Sequence, residues 1–583
     1  MTHDHMHPTL PELPRPAAGA GPGPLDDRFW DLVEERFRRL VHDHPTMATW
    51  LGIHALDGQL PDGGREVVLG ELEAERRHLA AVEALDPAGL SPAVRFERDL
   101  EVHNLRRSLF DLDVHRVWER RSTAMDVAGD GIFLVLARDF DPLPQRLASL
   151  RERLAAVPAF LEQSRDRATR PQVRLWQTLE VEAAEQMPSL FEEVTAAGRG
   201  VLPEREQRAL ETAASAATGA VGAYAGWLRT TLAGGTDDWM LGREAYDELI
   251  RLRAFDGLDA DAILEIGLQQ LAEHQAARVA VARRIDPTAD EASVVDRIRA
   301  DHPATFAEAL DGYREAMVRA RQYVLDHEIA TIPERERIAV IATPDYLRNV
   351  IPFAAYFETP KFDIHPAGIY VVTASVDDDP GAMREHNRSS ISNTSIHEAY
   401  PGHHLQLTVA AAHPSLVRLL TDAPEFVEGW AMYCEQMMRE QGFDDGPTFQ
   451  LAVHTDAIWR ACRIILDVRM HRGEVSVEEA SRFMVERTRF EEANARAEVN
   501  RYTYTPTYQL SYLLGKVLLL QLRGDEQRRL GSGFSLKGFH DSLLRNGSLP
   551  ISFHRRLLAD GRDAGAPGGH LNAAARAGGA GGR

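Results

Sequence analysis

The sequence predicts a mainly α-helical fold of two lobes with one small β-sheet. Apolar residues recur every three or four positions through most of the first 330 residues, the period of a helix with one buried face. Two short runs of branched residues follow, Arg337–Ala342 and Gly368–Ala374, with the length and composition of strands. The chain has 583 residues and 44% hydrophobic content, enough to bury a large core and to form two lobes.

The elements follow in order. Residues 1–24 are rich in His, Pro and Gly and poor in apolar residues, so they are expected to be disordered, with no role for His3, His5 or His7. From Leu25 the pattern turns helical: Phe29, Trp30, Val33, Phe37, Leu40 and Val41 recur at helical spacing, and Pro45 ends the run. Glu71–Leu85, Pro92–Leu112, Pro144–Ser164, Arg174–Ala197, Glu204–Leu232 and Ala260–Ala282 read as amphipathic helices. Two of them open on a proline, where no helical hydrogen bond is lost. No fixed-period repeat is evident, which disfavours a solenoid. Residues 25–330 are therefore drawn as a helical region and 331–564 as a second region. Further helices are expected there over Leu451–His471 and Glu478–Phe490, and the Gly/Ala-rich stretch 565–583 is expected to be disordered.

Composition narrows the function. A formal net charge of −22 argues against nucleic acid as a partner, because phosphate binding needs clustered cations. Lysine occurs only at Lys361, Lys516 and Lys537, and the arginine excess reads as codon bias. Two cysteines, Cys434 and Cys462, make neither a disulfide framework nor a thiolate zinc site. No run approaches the ~18 apolar residues of a membrane span. The N-terminus has no apolar segment of a secretory signal, so a soluble cytoplasmic protein without a membrane partner is expected. Oligomeric state leaves no signal in the sequence.

The chemistry concentrates in Ser395–Gln406, which holds His397, Glu398, His403 and His404 in eight positions. Hydrolytic zinc sites use neutral imidazoles as ligands and a carboxylate to take a proton from water. The H-E-x-x-H motif sets its histidines one helical turn apart. Here His403 follows His397 by six residues, about 120° around an ideal helix, so the two meet only if the backbone breaks. Pro401 and Gly402 supply that break. His404 is a rival ligand, returning to the face of His397 but about 10.5 Å along the axis. Glu428, 25 residues after His403 on a second helix, completes a two-His-one-Glu set with an open position. Manganese and cobalt suit the same donors.

The run His397-Glu398-Ala399-Tyr400-Pro401-Gly402-His403-His404 resembles the signature of a bacterial family known as domain of unknown function 885. His44–Gly52 resembles that family's opening, so the likeness covers the chain apart from its tails. The family is grouped with zinc metallopeptidases, and Phe426-Val427-Glu428 resembles the glutamate-ligand helix of thimet oligopeptidase and neurolysin; carboxypeptidase Taq is of the same type. The resemblance implies a metallopeptidase-like fold with the sheet beside a deep active-site cleft. It implies His397, His403 and Glu428 as ligands of one zinc, and Glu398 as general base. A strand upstream of the zinc helix would offer its free edge to an extended substrate. Arg463, Asp467 and His471 also recur in the family, which would set His471 behind the metal or against substrate; the spacing equally suits an Arg463–Asp467 pair and a core histidine. Arg501, Tyr502, Pro506, Tyr512 and Gly515 match the family pattern, while Thr507-Tyr508 stands where Gly-Gln is expected. By this likeness Tyr512 donates to the oxyanion. Arg501 offers a two-pronged guanidinium to a carboxylate, and Tyr508 and His404 are further substrate contacts.

The expected function is zinc-dependent hydrolysis of peptide or related amide bonds, in short peptides or at chain ends. An amide or ester hydrolase or acyl transferase of small metabolites is the first alternative. A non-catalytic helical protein is the second.

Overall fold

The computed structural model describes residues 11–16, 21–344, 347–348, 351, 353–374 and 380–560. The tail expected over 565–583 and His3, His5 and His7 lie outside them. Of the disordered tail expected over 1–24, residues 11–16 lie instead against the first helix. Leu13 packs on its core, and Arg15 donates to Asp31 and Glu34 at 2.7 and 2.9 Å.

The chain before residue 330 is helical: α1 (Asp26–Asp43), α2 (Pro45–Leu51), α3 (Arg65–Glu83), α4 (Pro92–Phe110), α5 (Ala124–Ala137), α6 (Leu143–Ser164), α7 (Arg174–Gly198), α8 (Glu204–Leu232), α9 (Arg243–Arg253), α10 (Ala260–Ile285), α11 (Glu291–Arg299) and α12 (Phe306–Asp326). Three strands follow, β1 (Ile338–Ala342), β2 (Ala354–Phe357) and β3 (Gly368–Val372). Then come α13 (Pro380–Met383), α14 (Arg388–Glu398), α15 (His403–Ala411), α16 (Leu416–Leu419), α17 (Pro424–Glu440), α18 (Pro447–His471), α19 (Val477–Thr488), α20 (Glu492–Tyr502), α21 (Ser511–Leu530), α22 (Leu536–Arg545) and α23 (Ile551–Ala559). The fold is mainly α, and no described helix is long and apolar enough to cross a membrane.

The sheet order is β1-β3-β2, with β1 parallel and β2 antiparallel to β3. β3 is central and buried along its whole length, which is why it reads as a continuous apolar run rather than an alternation. One face packs Tyr370 and Val372 on Tyr313 of α12 and Ile391 of α14. The other packs Ile369 and Val371 on the α5–α8 bundle. Gly368–Val372 is paired on both sides, so the edges of the sheet belong to the outer strands β1 and β2. The largest core does not stop at residue 330: α9, α10 and α12 bury Tyr246, Ile263 and Val324 in the same cluster as Ile396, Trp430 and Leu466. A third core joins α1, α2 and α4 to Leu416 and Val417 of α16 and Phe553 of α23.

Candidate metal centre

α14 ends on His397 and Glu398, and α15 begins on His403. Between them the backbone folds tightly on itself: the Gly402 N–H donates to the Ile396 carbonyl at 3.0 Å. Trp430 of α17 donates its Nε1–H to the Pro401 carbonyl at 2.8 Å, pinning the break against the next helix. Only glycine fits at 402. A Cβ there would stand 1.9 Å from the carbonyl oxygen of His397 and 2.3 Å from that of Ile396.

The break brings the two imidazoles together, ring centroids 4.8 Å apart and nearly perpendicular. Oε2 of Glu428 lies 3.3 Å from Nε2 of His403 and 3.7 Å from Nε2 of His397. All three donor atoms fall within 4.8 Å of one another. Donors about 2.1 Å from a tetrahedral zinc stand about 3.4 Å apart, so the spacing and the donor types fit the ion. All three residues are buried. Burial works against the Glu428 charge, yet the imidazoles of His397 and His403 hold its carboxyl well below the ordinary range.

Two of the three candidate ligands are themselves held, while His403 Nδ1 is buried without a hydrogen-bond partner among the described residues. His397 Nδ1 meets Glu435 Oε1 at 2.7 Å, which leaves Nε2 for the centre. Burial would lower the His397 pKa, but contact with Glu428 and Glu435 raises it to about 10. An ion must displace that proton. Asn393 donates to Glu435 Oε2 at 2.9 Å and to Asp456 Oδ2 at 2.8 Å. Tyr508 donates its hydroxyl to Glu428 Oε1 at 2.8 Å, so this tyrosine grips the ligand carboxylate. Glu398 lies beside His397, and burial raises its carboxyl against the pull of His397 and His403.

The structure separates His403 from His404. Nδ1 of His404 meets the Tyr356 hydroxyl at 2.9 Å and Nε2 meets Glu336 Oε2 at 2.9 Å, so neither nitrogen is left for a metal or a substrate. Tyr512 sits edge-on to Tyr508, centroids 5.9 Å apart, with the Arg463 guanidinium 4.6 Å from its ring. Arg501 and Arg463 share Glu498, at 3.2 and 2.9 Å. His471 is not at the site. It is fully buried, parallel to Tyr246 at 5.6 Å, with Nε2 at 2.9 Å from the Tyr502 carbonyl. The Arg463–Asp467 pair does not form either: Asp467 accepts instead from the Tyr246 hydroxyl at 2.7 Å and the Thr507 N–H at 2.9 Å.

Glycines set the tyrosines beside the ligand. α17 and α21 touch backbone to backbone, so a Cβ on Gly515 would lie 2.0 Å from the Glu425 carbonyl oxygen, and one on Gly429 would lie 2.6 Å from the Gly515 Cα. A cavity of about 290 Å³ opens from Glu428 and Tyr508, walled by residues 358–361, α15 and the segment from α16 into α17. Sequence reasoning missed Glu435, Asn393 and Asp456. Two of them carried a signal: Asn393 is one helical turn before His397 and Glu435 two turns after Glu428, on the same helix faces.

Two solved structures share this fold. One, from Shewanella oneidensis and described as "a putative lipoprotein of unknown function", has 22% sequence identity and a TM-score of 0.74, over 91% of this chain and 99% of its own. The other, a "putative lipoprotein" from Colwellia psychrerythraea, has 17% identity and a TM-score of 0.79, over 93% and 99%. A search of the curated proteins finds no match. Residues 45–558 match the family described as "Bacterial protein of unknown function (DUF885)", and the chain belongs to that family.

Proposed function

We propose that this chain is a zinc-dependent hydrolase of peptide or related amide bonds, acting on short peptides or chain ends in the cytoplasm. The observation that carries the reading is the meeting of three ligand atoms from both sides of a broken helix and from a second helix, with a glutamate next to one ligand. The resemblance of Phe426-Val427-Glu428 to the glutamate-ligand helix of zinc metallopeptidases supports it.

When bound, the ion supplies the Lewis acidity that polarises the scissile carbonyl and activates a water. The protein's own groups do the rest. Glu398 takes the proton of the attacking water and returns it to the leaving nitrogen. Tyr512 donates to the oxygen that gains charge in the transition state. Glu435 fixes the tautomer of His397, and Tyr508 holds one oxygen of Glu428 so that the other faces the histidines.

The test is hydrolysis of a short-peptide library by the zinc-loaded protein and by Glu398→Gln, which keeps the shape but cannot accept the proton. The variant should keep its zinc and lose about 10²–10⁴-fold in kcat. Full activity in Glu398→Gln, or no amide hydrolysis by a zinc-loaded wild type, would overturn the proposal. Turnover of small acyl esters or amides alone would move the chain to metabolite chemistry. Recovery of the activity in the membrane fraction would replace the cytoplasmic placement with that of the neighbours described as lipoproteins.

A further inference from the structure

Among the described residues, the cavity beside Glu428 has one cation without a carboxylate partner. Its carboxylates are accounted for: Glu428 faces the histidines, Asp422 pairs with Arg253 at 3.1 Å, and Glu358 accepts from the Trp50 indole near Arg138. Arg418 pairs with Glu97 at 2.7 Å. Lys361 pairs with no carboxylate among the described residues. It donates to the carbonyls of Ala411 and His413, each at 2.7 Å, at the C-terminal end of α15. An ammonium carries three N–H donors; two go to these carbonyls, the ammonium lies 5.9 Å from the Phe362 ring, and Lys361 lines the cavity. Burial lowers the pKa of this ammonium to about 8 and leaves it mostly charged at neutral pH.

The remainder of the wall mixes apolar Leu51, Pro360, Leu407 and Val427 with polar Thr359, Thr421, Tyr508 and Ser548. At about 290 Å³ the cavity is at the small end of ligand sites. A short group ending in a negative charge complements this wall: the group fills the space and the charge meets the ammonium of Lys361.

We propose that this cavity is a substrate subsite that binds a carboxylate on Lys361 beside the ligand Glu428, which makes the preferred substrate of the metal centre a short peptide that ends in, or carries, a carboxylate. The inference rests on the hydrolase reading for the word substrate, while the carboxylate site stands on the cavity alone. Its source is a peptide C-terminus or an acidic side chain.

Calorimetry with three probes separates these on the zinc-loaded Glu398→Gln protein, which does not consume them: N-acetyl-Ala-Ala as the free acid, the same peptide as its C-terminal amide, and N-acetyl-Ala-Glu amide. The free acid is expected to bind at least about 10-fold more tightly than the alanine amide. In Lys361→Gln, which can still donate to both carbonyls, that difference should fall to within about twofold while zinc content and melting temperature stay put. Preference for the glutamate amide over the free acid would assign the site to side chains. Equal binding of acid and alanine amide, no binding of any probe, or an unchanged preference in Lys361→Gln would overturn the proposal. A protein that takes up no zinc yet shows the Lys361-dependent preference would overturn the hydrolase reading and keep the carboxylate site.

Discussion

Gly402→Ala should separate the two histidine ligands. The added Cβ falls 1.9 Å from one backbone oxygen and 2.3 Å from another, whereas real Cβ contacts stay beyond 3.0 Å. Both neighbours are main chain of α14, so the turn from Ala399 to Gly402 must move outward by about 1 Å, and His403 moves with it. Metal donors tolerate about 0.2 Å, and a displacement of about 1 Å at a working site costs on the order of 10²-fold. Zinc affinity, read by chelator competition, should therefore fall about 100-fold or more. The overpacked turn should also cost about 1–3 kcal/mol of stability. Gly219→Ala is the control, since a Cβ there meets nothing within 4 Å, and it should leave zinc binding unchanged. Wild-type zinc affinity in Gly402→Ala would refute the argument that the broken helix builds the site.

Other perturbations test neighbouring links. Glu435→Ala removes the anchor of His397 and should weaken zinc binding by about 10–100-fold without unfolding the protein; an unchanged affinity would show that the 2.7 Å contact does not orient the ligand. Thr507 is a buried β-branched residue at φ 69°, a left-handed conformation that costs of order 1–3 kcal/mol. Thr507→Gly should raise stability by about 1 kcal/mol, after allowing for the greater entropy of the unfolded glycine. A lowered melting temperature would deny the strain. Burial lifts Asp467 from 3.8 to about 7 in the folded state. The folded protein thus keeps a proton that the unfolded chain has released, so this contribution is complete below about pH 4 and is lost as pH rises through about 7. Asp467→Asn, which keeps an acceptor for Tyr246 and Thr507, should flatten the fall in melting temperature between pH 5 and 8; an unchanged slope would place that titration elsewhere.

Much of the helical frame was legible because amphipathic stripes are local. The helix read over Glu204–Leu232 has those bounds, and the one read from Ala260 runs on to Ile285. β2 escaped notice because Ala354–Phe357 is four residues long with no alternation, and only its register on β3 makes it a strand. The ligand motif could be read because it lies within one stretch, yet the choice between His403 and His404 could not. It depends on Glu336, 68 residues earlier, which takes His404 out of contention. The grip of Tyr508 on the ligand carboxylate is invisible in the sequence because its partner Glu428 lies 80 residues away. His471 does share a helix face with Arg463 and Asp467, but near its end that face turns into the Trp239 and Tyr246 core rather than the site.

The central claim is that His397, His403 and Glu428 hold one metal ion. Metal content by mass spectrometry tests it most directly, on wild type and on His397→Ala and Glu428→Ala. The account predicts about one zinc per chain in the wild type and almost none in either variant, with both still folded. A wild type that holds no zinc and takes none up, or variants that keep a full complement, would contradict it.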